Sequence, residues 1–330
     1  EIVMLIRILL FVRLVQAFLP KADFLLSTKA ICSSSKEKHL KMGCIDLLSI
    51  VHRKQYQVEE LERKHSSKND PLQMRLSYAA MEGKYTLRNS LRRNKELESM
   101  HQLSVVADIK RKTPSSTPRE ISLFDNAGEI CQQMKTFGCD TVMVNTDEEA
   151  HGGSIEDLRA AKLSVGKEFP VIAKDFIINP IQLAQAAENG ADAVVLMANV
   201  LGPGLEDMMN IATVMGIESI VEVHTPEEVK KALEFGANVI MVNQRDRITG
   251  KLYPNQAFGL RNMMPNEVLT LAAGGLTMTE DMFRLADEGY DGVVLGRAIV
   301  EDTNPYQMVK KIRNRVGLER TILGMGLNNY

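Results

Sequence analysis

FGCDTVMVN, residues Phe137 to Asn145, is echoed three times: NGADAVVLM at Asn189 to Met197, FGANVIMVN at Phe235 to Asn243 and EGYDGVVLG at Glu288 to Gly296. In each, a glycine (Gly138, Gly190, Gly236, Gly289) suits the left-handed residue that ends a helix. A polar residue follows two positions on, and an apolar run dominated by Val, Ile and Met completes the segment. The repeats stand about 50 residues apart, twice the length of one βα unit in a (β/α)8 barrel. Four other runs alternate with them: SVVADIK from Ser104, FPVIAKDF from Phe169, ESIVEVH from Glu218 and EVLTLAAGG from Glu267. Helical stretches lie between, with Pro180 at one helix start and Thr225 as the N-cap of another, followed by Pro226 and acids in the first turn. Eight such units, apolar on both faces, predict an α/β fold, a closed (β/α)8 barrel over residues 101–318. A doubly wound open sheet is the alternative, and the regular doubling favours closure.

In such barrels chemistry gathers at the C-terminal ends of the strands. The odd runs end in Asp108-Ile109-Lys110, Lys174-Asp175-Phe176, Glu222-Val223-His224 and Ala273-Gly274-Gly275, and the sixth adds Asn243-Gln244-Arg245-Asp246. Any one of these pairs could be a solvated salt bridge. Acids and lysines on three successive odd strands are better explained by a site. AAGGL at Ala272 to Leu276 and VVLGRAIV at Val293 to Val300 put glycines where backbone N–H groups can approach an anion, after strands seven and eight. Together they predict a phosphorylated ligand.

Composition narrows the rest. The chain has 330 residues, 45% of them hydrophobic and 25% charged, and a formal net charge of −2, so no global basic field points to nucleic acid. Cys32, Cys44, Cys131 and Cys139 form no CxxC pair and meet no histidines at zinc-finger spacing, so neither a disulfide framework nor a structural metal is expected. Read from Met4, the chain opens with Arg7, a short apolar stretch interrupted by Arg13, and Val15-Gln16-Ala17, which suits a signal-peptidase site. The apolar stretch is too short to span a bilayer comfortably. A Lys- and Ser-rich, acid-poor segment follows Phe18. Residues 1–40 therefore resemble the bipartite leaders of algal secondary plastids, and the expectation is a plastid protein with no membrane segment once mature.

Residues 41–100 read as a helical extension. Ile45, Leu48, Val51, Val58 and Leu61 fall at helical intervals, and Pro71 suits the first turn of a second helix running towards Arg93. An amphipathic hairpin that covers apolar surface is expected. The heptads are too few for a coiled coil. Residues 319–330 form a tail.

With these residues laid out, the chain resembles the indole-3-glycerol phosphate synthases over about Gly43 to Arg315. The stretches that carry the resemblance are VVADIKRKTPSS from Val105, PVIAKDFIINPIQLAQAAENGADAVVLM from Pro170, IVEVHTPEEVKKAL from Ile220 and VNQRD from Val242. The resemblance implies ring closure of a carboxyphenylamino-deoxyribulose phosphate with loss of CO2 and water, without metal or organic cofactor. It implies that Lys174 is the general acid that protonates the ketone and Glu222 the general base of the dehydration. Lys110 would hold the substrate carboxylate and donate a proton later, Asn243 would orient a hydroxyl and Asp108 would supply a catalytic carboxylate. Phe176 would wall the aromatic ring, backbone at Gly275 and Gly296 would hold the phosphate, and Ser115, Arg245 and Arg297 complete the expected substrate contacts.

The chain also departs from the family pattern. Asp108 stands where the pattern has glutamate, Ala273-Gly274 where it has Glu-Ser, Ala150-His151 where it has an aromatic pair, and Gln244 and Arg297 replace other residues near the phosphate end. Two expectations follow: a working synthase that is slow, or a barrel repurposed to bind a phosphate ligand or a protein partner.

Overall fold

The computed structural model describes residues 47–78, 86–92, 103–113, 119–120, 124–246, 250–300 and 302–313. The leader expected at 1–40, the tail at 319–330, and Ser115 lie outside these residues.

Eight parallel strands close into a barrel: β1 (Ser104–Ile109), β2 (Thr141–Asn145), β3 (Val171–Lys174), β4 (Ala193–Met197), β5 (Glu218–Val223), β6 (Val239–Asn243), β7 (Leu269–Ala273) and β8 (Gly292–Leu295). The ring closes where Val105 of β1 pairs with Val293 of β8. The open-sheet alternative is thereby excluded. A separate two-stranded ribbon, Lys112–Thr113 against Arg119–Glu120, follows β1.

The repeat has a physical basis at the lower end of the barrel. All four repeat glycines hold positive φ, between 79° and 95°. Two residues later the acids Asp140, Asp192 and Asp291 each accept the N–H of a residue in the preceding odd strand, respectively Val105 (2.9 Å), Val171 (2.8 Å) and Thr270 (2.7 Å). The backbone N–H of each acid returns a bond to the carbonyl of that same residue, at 2.9 Å in all three. In three of the four repeats one helix-ending glycine and one acid therefore lock the even strand beside its odd neighbour, while the third repeat has Asn238 in the acid's place.

The extension departs from the expected hairpin. Helix α1 (Leu47–Lys64) buries Leu47, Ile50, Val51, Lys54 and Val58, so a lysine sits in the apolar stripe, while Leu48 and Leu61 are only half-buried. Helix α2 starts at Pro71 as expected, with the Asp70 side chain accepting the Leu72 N–H at 2.9 Å, but it ends at Ser77, where Tyr78 turns extended. The single second helix reaching Arg93 is therefore wrong. A separate helix, α3 (Thr86–Arg92), turns under the barrel. Its Leu87 and Leu91 are fully buried and join Val106, Met143, Ile172, Ile220, Met241 and Leu271 in the barrel interior. Glu218, at the start of β5, accepts the N–H groups of Leu87 (2.7 Å) and Arg88 (3.2 Å) and the Arg88 Nε (2.7 Å). One straight helix from residue 71 could not both pack beside the barrel and enter its floor. Burial raises the Glu218 carboxyl above its ordinary value, against the opposing pull of Arg88.

Leu87→Ala and Leu91→Ala are each expected to lower stability by about 2–5 kcal/mol, because each opens a cavity in a closed interior. Removing the side chain of Tyr56, which is 73% exposed, should change stability by less than about 0.5 kcal/mol. Denaturant unfolding followed by circular dichroism reads both.

The outer layer of helices includes α4 (Ala127–Thr136), α5 (Ile155–Val165), α6 (Pro180–Glu188), α7 (Leu205–Val214), α8 (Pro226–Glu234), α9 (Gln256–Arg261) and α10 (Thr279–Asp287). Helices α1 and α2 cover α6. Cys131 and Cys139 are buried free thiols in the layer between strands and helices, and burial pushes both up to about 12, which keeps them protonated.

Candidate active site

Inward side chains on a strand alternate with period two. Above the apolar interior, the next inward positions are Asp108 on β1, Asn145 on β2, Lys174 on β3, Met197 on β4, Glu222 on β5, Asn243 on β6 and Gly296 beyond β8, while β7 ends in Ala273, itself part of the interior cluster. The mouth thus carries five polar groups, Asp108, Asn145, Lys174, Glu222 and Asn243, set on an apolar plug. It takes in the expected residues Asp108, Lys174, Glu222 and Asn243.

On one side of this ring two lysines share one carboxylate. Lys110 Nζ is paired with Asp108 Oδ2, and Lys174 Nζ lies 3.8 Å from Asp108 Oδ1. Asn145 Nδ2 donates to the same Oδ1 at 2.7 Å and to the Ile109 carbonyl at 3.0 Å. Burial alone would raise the Asp108 carboxyl, but Lys110 and Lys174 outweigh it and, with the hydrogen bonds, hold it well below the usual carboxylate range. The stability that this ionised group contributes is present above its unfolded value near 4 and lost only as pH falls through the lower folded value.

Across the ring, Glu222 is fully buried and its Oε1 accepts Asn243 Nδ2 at 3.1 Å. Asn243 Oδ1 in turn accepts the Arg245 N–H at 3.0 Å, which fixes the amide's orientation. Beside this pair, Ala273 contributes only a methyl group.

Phe176 is buried and stacks on His151, with ring centroids 5.9 Å apart and planes 20° apart. His151 ends the short helix Glu148–His151 and is itself buried. The Arg245 guanidinium donates to the Gly250 carbonyl at 2.9 Å, tying down its own loop. Gly275 and Gly296 flank the mouth, and Arg297 is exposed at the start of the helical turn Arg297–Val300. A Cβ on Gly296 would meet Asp108 Oδ2 at 3.2 Å and Lys110 Nζ at 3.3 Å, so this backbone lies directly against the charged pair.

Sequence reasoning missed two contributors. Asn145 ends its repeat at the position where Asn243 ends another, so the repeat itself carried the signal. The other is α1. Lys54 Nζ reaches Asp147 Oδ2 at 2.9 Å and Asp175 Oδ1 at 2.5 Å, and Arg53 Nη2 reaches Asp147 at 2.6 Å. Asp175 also accepts Thr146 Oγ1 at 2.8 Å. Burial opposes the Lys54 cation, but the two aspartates reverse this and raise its pKa. The extension is thereby fastened to the residue that follows Lys174.

A family profile described as indole-3-glycerol phosphate synthase matches residues 47–312, most of the chain and all eight strands. The chain belongs to the indole-3-glycerol phosphate synthase family. Synthases of that name from Mycolicibacterium gilvum and Rhodococcus jostii are each 32% identical to it, over 63% of this chain and 75% of the former, and 64% of this chain and 78% of the latter. Among solved structures, 3-hexulose-6-phosphate synthase from Salmonella typhimurium aligns at a TM-score of 0.52 and 17% identity, covering 66% of this chain and 99% of that one, a likeness of fold alone.

Proposed function

We propose that this member of the indole-3-glycerol phosphate synthase family closes the indole ring of 1-(2-carboxyphenylamino)-1-deoxyribulose 5-phosphate, releasing CO2 and water, with the charged mouth as its catalytic apparatus. The observation that carries this reading is the division of the ring into two stations. Lys110 and Lys174 share Asp108 on one side, and Glu222 with Asn243 faces them from the other.

Each station suits one part of the chemistry. Lys174, whose Nζ lies 3.8 Å from Asp108 Oδ1, protonates the ketone oxygen as the aromatic carbon attacks the carbonyl. Lys110 binds the substrate carboxylate until that group leaves as CO2 and the ring regains aromaticity. The new hydroxyl, oriented by Asn243, then departs as water with a proton donated by Lys110, while Glu222 takes a proton from the adjacent ring CH2 carbon and the ring double bond forms. Phe176 supplies apolar wall for the aromatic ring. Backbone at Gly275 and Gly296 receives the phosphate, with Ser115, Arg245 and Arg297 as further contacts. The leader at residues 1–40 supports work in a plastid.

The methyl group of Ala273, at the position where the resemblance implies a glutamate, favours a second reading: a barrel that binds a phosphate ligand or partner without turning it over. An assay of the purified full chain with the deoxyribulose phosphate, following indole fluorescence, tests the first reading. Product formation above background supports it, and none at millimolar substrate overturns it. In the same assay Gly296→Leu is expected to raise KM about tenfold or more, a loss of roughly 1.4 kcal/mol of binding, because the side chain presses on Asp108 and Lys110 and fills the phosphate approach.

A further inference from the structure

Glu222 has a second neighbour beyond Asn243. His224, two residues on and buried, has its Nε2 3.4 Å from Glu222 Oε1, an ion-pair distance without hydrogen-bond geometry, while its Nδ1 lies 3.3 Å from Glu228 Oε2 in the first turn of α8. The imidazole is thus set between two carboxylates, one inside the mouth and one at its rim. The Glu228 side chain is 18% exposed and borders a small pocket shared with Asn199, Gly202, Glu227 and Lys231.

We infer that His224 is a positioning residue for Glu222: as an imidazolium it keeps that buried carboxylate ionised and oriented, and Glu228 at the rim keeps His224 protonated. The inference rests on the reading of Glu222 as the base.

Three observations support it. A completely buried carboxylate tends to take up a proton unless a cation stands beside it, and a base is useful only in its ionised form. Asn243 can orient Glu222 but carries no charge. His224 itself is fixed from several sides: its N–H donates to Glu228 Oε2 at 2.6 Å, and Gln256 of α9 donates to its carbonyl. The charges that face it are Glu222 from β5 and Glu228 from α8, with Glu227 and Lys231 farther along the rim pocket. Asn243 of β6 and Gln256 of α9 are neutral. Burial opposes the cation, but the two carboxylates reverse this and raise His224 to about 9. Its protonated form is therefore complete below the ordinary histidine range and is lost as pH rises through about 9.

Glu228→Gln separates charge from shape. The amide oxygen can still accept the His224 N–H, so the helix start is retained while the negative charge is removed. Histidine side-chain NMR of the full chain, with His224 assigned by comparison with His224→Gln, reads the triad without turnover. His224 is expected to titrate about two units above an ordinary histidine, and at least one unit lower in Glu228→Gln. Glu228→Asp should restore most of that shift, and Glu227→Gln should leave it unchanged. In the kcat/KM profile, Glu228→Gln should move the acid limb upward and the alkaline limb downward, each by about one unit.

Titration of His224 in the ordinary range, or equal titration in wild type and Glu228→Gln, overturns the triad. A shifted His224 with an unmoved acid limb overturns its role towards Glu222. If the NMR shifts occur in a protein without turnover, the assignment of Glu222 as a base fails while the ion triad stands.

Discussion

Lys174→Ala is expected to lower kcat by about a thousandfold, to the limit of detection, with the fold intact. Lys174 is one of two cations that share Asp108, and Lys110 is already paired with the other oxygen of that carboxylate. Loss of Lys174 therefore leaves Asp108 paired but removes the donor placed for the ketone. Lys174 sits among polar groups above the apolar interior, so its truncation opens no apolar cavity and thermal unfolding should shift by only a few degrees. Stopped-flow indole fluorescence gives the rate. A variant within tenfold of wild type would show that the proton comes from elsewhere, and Lys110 would be the next group to test.

The second large effect concerns Ala273 and Gly274, where the family resemblance implies Glu-Ser. Ala273→Glu alone is expected to raise the rate about tenfold or more, because a carboxylate beside Asn243 can stabilise positive charge as it develops in the mouth. Adding Gly274→Ser should cancel that gain and cost about a hundredfold. Gly274 holds φ +86°, and a Cβ there would stand 2.5 Å from Asn243 Oδ1 and 2.9 Å from the Arg245 backbone nitrogen. The amide that orients the hydroxyl would be displaced, and a left-handed serine adds about 1–3 kcal/mol of strain. The single and double variants should be assayed beside wild type. No gain from Ala273→Glu, in a wild type no faster than Lys174→Ala, would favour the repurposed barrel.

The barrel was legible because its strands write their pairing into the repeat: a glycine that must turn left-handed, then, in three of the four, an acid that clamps the neighbouring strand. The mouth was legible for a related reason. Period-two alternation carries an apolar interior position into Asp108, Lys174, Glu222 or Asn243 two residues later. Other features depend on contacts that local pattern does not encode. Lys54 reads as a surface lysine of an amphipathic helix, and its partners Asp147 and Asp175 lie about a hundred residues later in the chain. The break after Ser77 depends on where α3 must go, not on propensity in its own neighbourhood. At Gly274 the sequence suggests a lost serine, whereas the backbone angle explains why serine would no longer fit.

The floor of the barrel is supplied from upstream, and this gives the chain a problem of timing. Leu87 and Leu91 leave the ribosome before any strand they will touch, and the ring that shelters them cannot close until β8 is made about 200 residues later, roughly ten to forty seconds at ordinary synthesis rates. Until then the stopper exists without its bottle. A nascent chain of this protein should therefore engage a chaperone through Leu87 and Leu91, and a gene trimmed to begin at Ser104 should yield an open-bottomed ring that takes in water and aggregates, however complete its catalytic mouth.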